Sequence, residues 1–247
     1  MSEIKEAVRS RYAGAARQIA VLTADSSSCC GAEGCDCGCG GWYAAGELQA
    51  IGVRDALSLG CGNPAALAEL KPGEVVLDLG SGAGLDVMLS AKRVSPGGHA
   101  YGIDMTDEML DLANQNRERA GITNATFLKG TIENVPLPDA SVDVVISNCV
   151  INMAEDKAAV VTEAYRVLRP GGRFAVADMV ELEALAPAVK RQVDSWAGCI
   201  SGTIPIEDYR AALIGAGFAD PEFEIHATQS LPGAGRLGSA YIRARKP

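Results

Sequence analysis

The stretch Val75-Val76-Leu77-Asp78-Leu79-Gly80-Ser81-Gly82-Ala83-Gly84 constrains this chain more than any other. Val75 to Leu79 is a short apolar run of the kind that forms a strand buried on both faces. Three glycines at alternate positions follow, and Leu85 to Val94 reads as a helix. A strand passing through a glycine turn into a helix lays bare backbone beside a ligand at the carboxyl edge of a sheet. A G-x-G-x-x-G dinucleotide fingerprint needs its third glycine at position 85, where this chain has Leu85. That disfavours a NAD-linked oxidoreductase. The spacing is instead G-x-G-x-G, with Asp78 two residues ahead of the first glycine.

The alternation continues downstream. Ala100–Ile103, Ala125–Leu128, Val142–Ser147 and Arg173–Ala177 read as strands two to five, the last entered through a turn at Pro170-Gly171-Gly172. Helices are expected from about Asp107 to Ala120 and from Lys157 to Leu168. This βαβα order predicts a mostly parallel sheet with helices on both faces. Further helices are expected near Pro187–Gly198 and Ile206–Ala216, then strands near Glu222–His226 and Ala240–Ala244. Ahead of the first strand, Ser2 to about Leu22 reads as a helix and Gly46 to Leu70 as short helices broken at Gly60-Cys61-Gly62-Asn63-Pro64. Between them Asp25 to Gly41 is too polar and glycine-rich to pack. We therefore divide the chain into an N-terminal helix with a cysteine-rich arm, residues 1–47, and an α/β domain, residues 48–247.

With 247 residues and a 48% hydrophobic fraction the chain is long enough for an ample core, and the 5% aromatic content makes that core mostly aliphatic. A formal net charge of −9 argues against nucleic acid as a partner. No apolar run approaches a membrane span and no signal-peptide core precedes the first helix, so a cytoplasmic protein without a membrane partner is expected. Thiols stay reduced there. The eight cysteines are accordingly read as ligands or redox groups rather than as a disulfide framework.

A carboxylate at the strand end followed by a G-x-G-x-G turn resembles the nucleoside-binding loop of class I S-adenosylmethionine (SAM) methyltransferases. An acid suits a ligand that carries an ammonium and a sulfonium better than one that carries pyrophosphate. Asp104 ends the second strand, where a carboxylate can accept hydrogen bonds from ribose hydroxyls. Its alternative is helix capping, a role for which Thr106 and Asp107 compete. Ile132 and Glu133 fall where this fold flanks an adenine, with a plain solvated loop carboxylate as the alternative. Val144-Val145-Ile146-Ser147-Asn148-Cys149 delivers Asn148 and Cys149 to the carboxyl edge beside the expected ligand. A free cysteine is also a common small hydrophobe.

The combination VVLDLGSGAG, GIDMT, SNCVIN, Ala197-Gly198-Cys199-Ile200-Ser201-Gly202 and Leu59-Gly60-Cys61-Gly62-Asn63-Pro64 resembles the arsenite SAM methyltransferases over roughly residues 55 to 218. SNCVIN is the most specific part, because generic methyltransferases rarely carry cysteine there. The resemblance implies a Rossmann-like class I fold with a seven-stranded sheet, SAM as methyl donor, and trivalent arsenicals as acceptors. It implies Cys61, Cys149 and Cys199 as arsenic-binding thiols, and Asp78, Gly80, Ser81, Gly82, Gly84, Asp104, Met105, Ile132, Glu133 and Asn148 as the SAM site. It also implies a thiol reductant, glutathione or thioredoxin, as co-substrate. The family's further N-terminal cysteine has several candidates in the arm, Cys29 and Cys30 being the best placed. Cys35, Cys37 and Cys39 lack the paired C-x2-C spacing of a structural zinc site and read as a mobile thiol-rich tail. The chain ends soon after the core, so contacts that longer members make through a C-terminal domain are expected to be absent.

Arsenic(III) is soft, which favours thiolate sulfur over oxygen. Cys61, in a glycine loop ahead of the sheet, reads as the most easily spared of the three thiols. A methyltransferase restricted to monomethyl arsenite, one with another small-molecule acceptor, and a non-catalytic metalloid buffer are the rival readings.

Overall fold

The computed structural model describes residues 2–24, 43–51, 60–192, 199–231 and 233–247. Its centre is one seven-stranded sheet in the order β3-β2-β1-β4-β5-β7-β6. The strands are β1 (Val75–Leu79), β2 (His99–Asp104), β3 (Ala125–Lys129), β4 (Val142–Asn148), β5 (Leu168–Glu183), β6 (Ala219–Leu231) and β7 (Gly235–Arg245). β1 to β5 are parallel, and β7 pairs antiparallel with both β5 and β6. This is the Rossmann-like arrangement expected from the βαβα pattern, closed by the expected edge hairpin.

The helices are α1 (Glu3–Ala24), α2 (Ala45–Ala50), α3 (Pro64–Leu67), α4 (Leu85–Arg93), α5 (Asp107–Arg119), α6 (Lys157–Val167), α7 (Pro187–Lys190) and α8 (Ile206–Ala216), with a 3-10 turn at Ile151–Met153. Their ends follow local chemistry. Asp156 caps α6 by accepting from the Ala159 N–H at 2.9 Å, and Asn63 caps α3 with Pro64 at its first position. Gly217 stops α8 at φ 104°, a left-handed conformation that glycine adopts without strain.

Strand alternation divides the interior into two apolar layers. Leu77, Leu79 and Val145 face one, with Phe174, Tyr209 and Leu213; Val76, Val144 and Ile146 face the other, with Val87, Met88 and Ala91. Each fully buried aliphatic side chain contributes roughly 1.5–3 kcal/mol. The layers are aliphatic, as composition requires, with an aromatic group of Phe174, Phe218 and Tyr165 at one side.

Three features differ from expectation. Pro170-Gly171-Gly172 does not end one element and begin another; it is a bulge within β5, because Val142 pairs with Leu168 while Val144 pairs with Arg173. The edge strands β6 and β7 are much longer than the apolar cores read from sequence, since their outer residues are polar and face solvent. The helix expected over Pro187–Gly198 is seen as α7 to Lys190, and residues 193–198 lie outside the described residues. The arm, with Cys29, Cys30, Cys35, Cys37 and Cys39, also lies outside them.

α1 packs on α5 and across the carboxyl edge of the sheet, where Ile4, Val8 and Tyr12 recur at helical spacing on one face. Lys5 Nζ lies 3.1 Å from the Glu133 carboxylate, and the Ser2 hydroxyl donates to Glu155. The N-terminal helix is thus fixed to the loops after β3 and β4. Among the described residues no helix is long and apolar enough to cross a membrane.

Phe174 is fully buried at the contact between β5 and the aromatic group. Phe174→Ala is expected to lower unfolding free energy by about 3–5 kcal/mol in urea titration. A loss below about 1 kcal/mol would mean that this layer does not hold the sheet to α6 and α8.

Candidate active site

β1 and β4 are neighbours, yet the chain leaves β1 toward β2 on one side and leaves β4 toward β5 on the other. Crossover loops diverge there, and the crevice they leave at the carboxyl ends of the strands is where open α/β sheets bind ligands. The glycine turn after β1 and Cys149 after β4 flank this crevice.

A cavity of about 730 Å3, counting its open mouth, occupies the crevice. Of the residues expected to bind SAM, Gly80, Gly82, Asp104, Met105, Ile132 and Glu133 line it, under a roof of Ile4, Val8 and Tyr12 from α1. Asp104 ties the turn to β2: one carboxylate oxygen accepts from the Gly82 N–H at 3.0 Å, the other from the Thr106 N–H at 2.9 Å and hydroxyl at 2.6 Å. Thr106 occupies the N-cap position of α5 without a side-chain cap bond, so its hydroxyl serves Asp104 instead. Glu133 is ion-paired with Lys5 rather than being a free loop carboxylate.

Asp78, Ser81, Gly84 and Asn148 are not on the cavity wall. Asp78 is 3% exposed, and its Oδ1, like the Ser81 hydroxyl oxygen, has no hydrogen-bond partner among the described residues. Burial, reinforced by the negative charges of Asp86 and Asp104, raises the Asp78 carboxyl well above the usual carboxylate range. A Cβ on Gly82 would meet only the Met109 sulfur, at 3.9 Å, so the turn leaves open space there. Two orphaned polar atoms behind an open glycine cradle fit a ligand with hydrogen-bonding and cationic groups.

Asn148 has a different task from the one its position suggested. Its amide nitrogen reaches the Tyr43 hydroxyl at 3.0 Å, the Gly62 carbonyl at 2.8 Å and Asp86 at 3.2 Å, while its oxygen accepts from the Cys61 N–H at 2.9 Å. It fastens the Cys61 loop to β4. The Cys61 carbonyl also contacts His226 Nε2 at 3.0 Å and accepts from the Ser239 hydroxyl at 2.8 Å. A Cβ on Gly62 would lie 2.6 Å from Ala177 Cβ, so only glycine lets the loop approach this closely. The glycine loop that carries Cys61 is therefore firmly held against β4 and the β6–β7 hairpin.

The structure brings Cys61, Cys149 and Cys199 together. Cys149 is 4% exposed and sits at φ 59°, its N–H donating to the Ala177 carbonyl at 2.7 Å. Cys199 is also left-handed, at φ 61°, and its thiol donates to the Cys149 carbonyl at 3.4 Å. Left-handed backbone at two non-glycine residues is unfavourable and is held only where surroundings enforce it, commonly at functional sites. The neighbouring thiols of Cys199 and Cys61, together with burial, push the Cys149 thiol up. Cys199 moves the other way, because the neighbouring Cys149 thiol, with Asn152 and Tyr12 nearby, lowers it by more than burial and the Asp178 charge raise it. Among the described residues no group of three or more His, Cys, Asp or Glu is already arranged to hold a metal ion.

Several participants have no obvious mark in the sequence. Tyr12 both lines the cavity and reaches Cys199, but its 4-8-12 pattern is that of any packed helix. Asn152 lies in the same SNCVIN segment as Cys149, three residues on. Asp178, in the carboxyl-terminal half of β5, could have been found by the strand-end logic that singled out Asp104.

A family profile described as a methyltransferase domain matches residues 70–229. An arsenite methyltransferase of Halobacterium salinarum is 41% identical over 99% of this chain and 67% of its own. One of Aquipseudomonas alcaligenes is 39% identical over 66% of this chain and 48% of its own. The crystal structure of an arsenic(III) S-adenosylmethionine methyltransferase from Chlamydomonas reinhardtii superposes with a TM-score of 0.66 at 35% identity, covering 74% of this chain and 66% of that one. The chain thus spans two thirds or less of these relatives, while its sheet order, its glycine-turn cavity and its converging cysteines agree with the likeness. Together these findings show that the chain belongs to the arsenite methyltransferase family of SAM-dependent methyltransferases.

Proposed function

We propose that this protein methylates trivalent arsenic held by the thiolates of Cys61, Cys149 and Cys199. The observation that carries the reading is the meeting of these three thiols at the end of β4, beside the glycine-turn cavity. SAM, when bound, supplies a sulfonium-activated methyl group. Gly80, Gly82, Asp104 and Met105 would hold its nucleoside part, Ile132 and Glu133 its base, and Asp78 would face its cationic groups. Ile4, Val8 and Tyr12 exclude water from above.

Arsenite is a substrate that arrives as a hydroxide and exchanges hydroxyls for sulfur. Cys199, with its lowered thiol, attacks first. Cys149 and Cys61 follow, each thiol proton leaving with a hydroxyl as water. Three As–S bonds leave the arsenic lone pair unused, so the nucleophile needs no general base. Forming the As–C bond takes arsenic from the trivalent to the pentavalent state. Two adjacent thiols can return two electrons by closing a disulfide, which an external thiol, glutathione or thioredoxin, would reopen. Such a cycle suits the reducing cytoplasm. A metalloid buffer would have no use for the cavity, and another acceptor would leave the three thiols without a role.

Asp78 sets a pH dependence. Its carboxyl is raised in the empty site, and a cationic ligand favours its ionised form, so SAM affinity is expected to rise with pH through that raised pKa. Calorimetry in two buffers of different ionisation enthalpy is expected to show proton release on binding, absent in Asp78→Asn. Equal heats for the wild type would remove Asp78 from the site.

The thiol reading is tested by SAM turnover with arsenite and with monomethyl arsenite. Monomethyl arsenite already spends one arsenic bond on carbon and needs two thiolates, whereas arsenite takes three. Cys149→Ser and Cys199→Ser are expected to lose both activities by roughly a hundredfold or more, as misplaced reactants do. Cys61→Ser is expected to lose arsenite methylation and keep part of the monomethyl activity. Near wild-type turnover by Cys149→Ser, in protein that still binds SAM, would refute the proposal.

A further inference from the structure

We infer that Asn152 is a positioning residue for the thiol site, its amide aimed at the Cys149 sulfur by Asp178. The inference rests on the reading of Cys149 and Cys199 as arsenic ligands. Asn152 lies in the 3-10 turn after Cys149 and is 1% exposed. Its amide nitrogen lies 3.4 Å from Cys149 Sγ and 2.6 Å from Asp178 Oδ1, so one N–H points each way.

Asp178 fixes that amide because it is itself fixed. It is 1% exposed, its Oδ1 also accepts from the Met179 N–H at 3.0 Å, and its Oδ2 lies 3.4 Å from the Tyr209 hydroxyl. The charge of the buried Lys157 nearby offsets part of the burial of this carboxylate. The pair of Asn152 and Asp178 presents a donor where a thiolate must form. A hydrogen bond to a charged acceptor favours the charged form, which is what soft-metal capture needs.

The other end of Asn152 points to substrate. Its Oδ1 is buried with no hydrogen-bond partner among the described residues, a costly state for an amide oxygen. Arsenite brings hydroxyl donors, and an As–O–H not yet exchanged can satisfy that oxygen. In the exchange an As–O bond breaks and an As–S bond forms. The thiol proton joins the departing hydroxyl as water, with no change of oxidation state. Asn152 would thus steady the sulfur on one side and the remaining hydroxyl on the other. Neither Asn152 nor Asp178 lines the SAM cavity, so their effect is separable from SAM binding.

The test compares Asn152→Leu, which keeps the volume and removes the amide, with Asp178→Asn, which keeps an acceptor for it. Cys149 alkylation by iodoacetamide, followed by mass spectrometry at neutral pH without arsenic, is expected to slow about fivefold or more in Asn152→Leu. Asp178→Asn is expected to stay within about twofold of wild type, and SAM affinity to stay unchanged in both. Asp178→Ala, which frees the amide, should slow alkylation as Asn152→Leu does, and it decides the matter if Asn152→Leu does not fold. Wild-type alkylation rates in these amide-disrupting variants would overturn the inference, as would an equal loss in Asp178→Asn. Arsenite titration of the wild type, monitored by the loss of free thiols, separately tests whether the thiols bind arsenic at all.

Discussion

Everything in this molecule's chemistry depends on the reversal of strand order between β1 and β4. Two parallel neighbours whose chains depart in opposite directions must leave a crevice at their carboxyl ends. The fold fills one side of that crevice with a glycine turn and the other with Cys149. Because both strands are buried on both faces, the two walls cannot drift apart without opening the aliphatic layers. The distance between the glycine turn and Cys149 is therefore fixed by the buried centre of the sheet, while α1 roofs the cavity from above.

The thiol site is assembled from three separate supports. Cys149 is held in a left-handed conformation by its bond to Ala177, Cys61 by Asn148, Ser239 and His226, and Cys199 by the Cys149 carbonyl. These supports reach the long β6–β7 hairpin, which explains why the edge strands extend well past the core they cover. The electrostatics are uneven in a useful way. Mutual contact raises Cys149 and lowers Cys199, burial raising both, so one thiolate can form without charging all three sulfurs at once. Nearby, burial pushes Asp178 up to about 7, which limits the repulsion that a full carboxylate charge would exert on those thiolates.

Much of this was legible in the sequence for physical reasons. Val75–Leu79 and the alternate glycines announce themselves because a buried parallel strand and a bare turn have few other sequence solutions. Eight cysteines in a reduced protein asked for a chemical reason, and the family resemblance singled out Cys61, Cys149 and Cys199 among them. What escaped notice did so because its sequence signal is shared with something ordinary. The Ile4-Val8-Tyr12 stripe reads as any amphipathic helix, and only the fold shows that it roofs a cavity. Asn148 sits beside Cys149 and seemed to face the ligand, yet its side chain turns to the Cys61 loop, because unpaired backbone there needed partners. Pro170-Gly171-Gly172 looks like a break, but the pairing on either side continues through a bulge. Asn152 and Asp178 are meaningful only together, and the residues between them hide the pair.

The central claim is that three thiolates from three separate segments close around one arsenic atom beside the methyl donor. X-ray absorption at the arsenic edge, on reduced protein with one equivalent of arsenite, counts the sulfur neighbours directly. The account predicts three sulfurs and no oxygen in the wild type, with one sulfur fewer in each of Cys61→Ser, Cys149→Ser and Cys199→Ser. A wild-type site with oxygen neighbours, or one whose sulfur count is unchanged by Cys149→Ser, would contradict it.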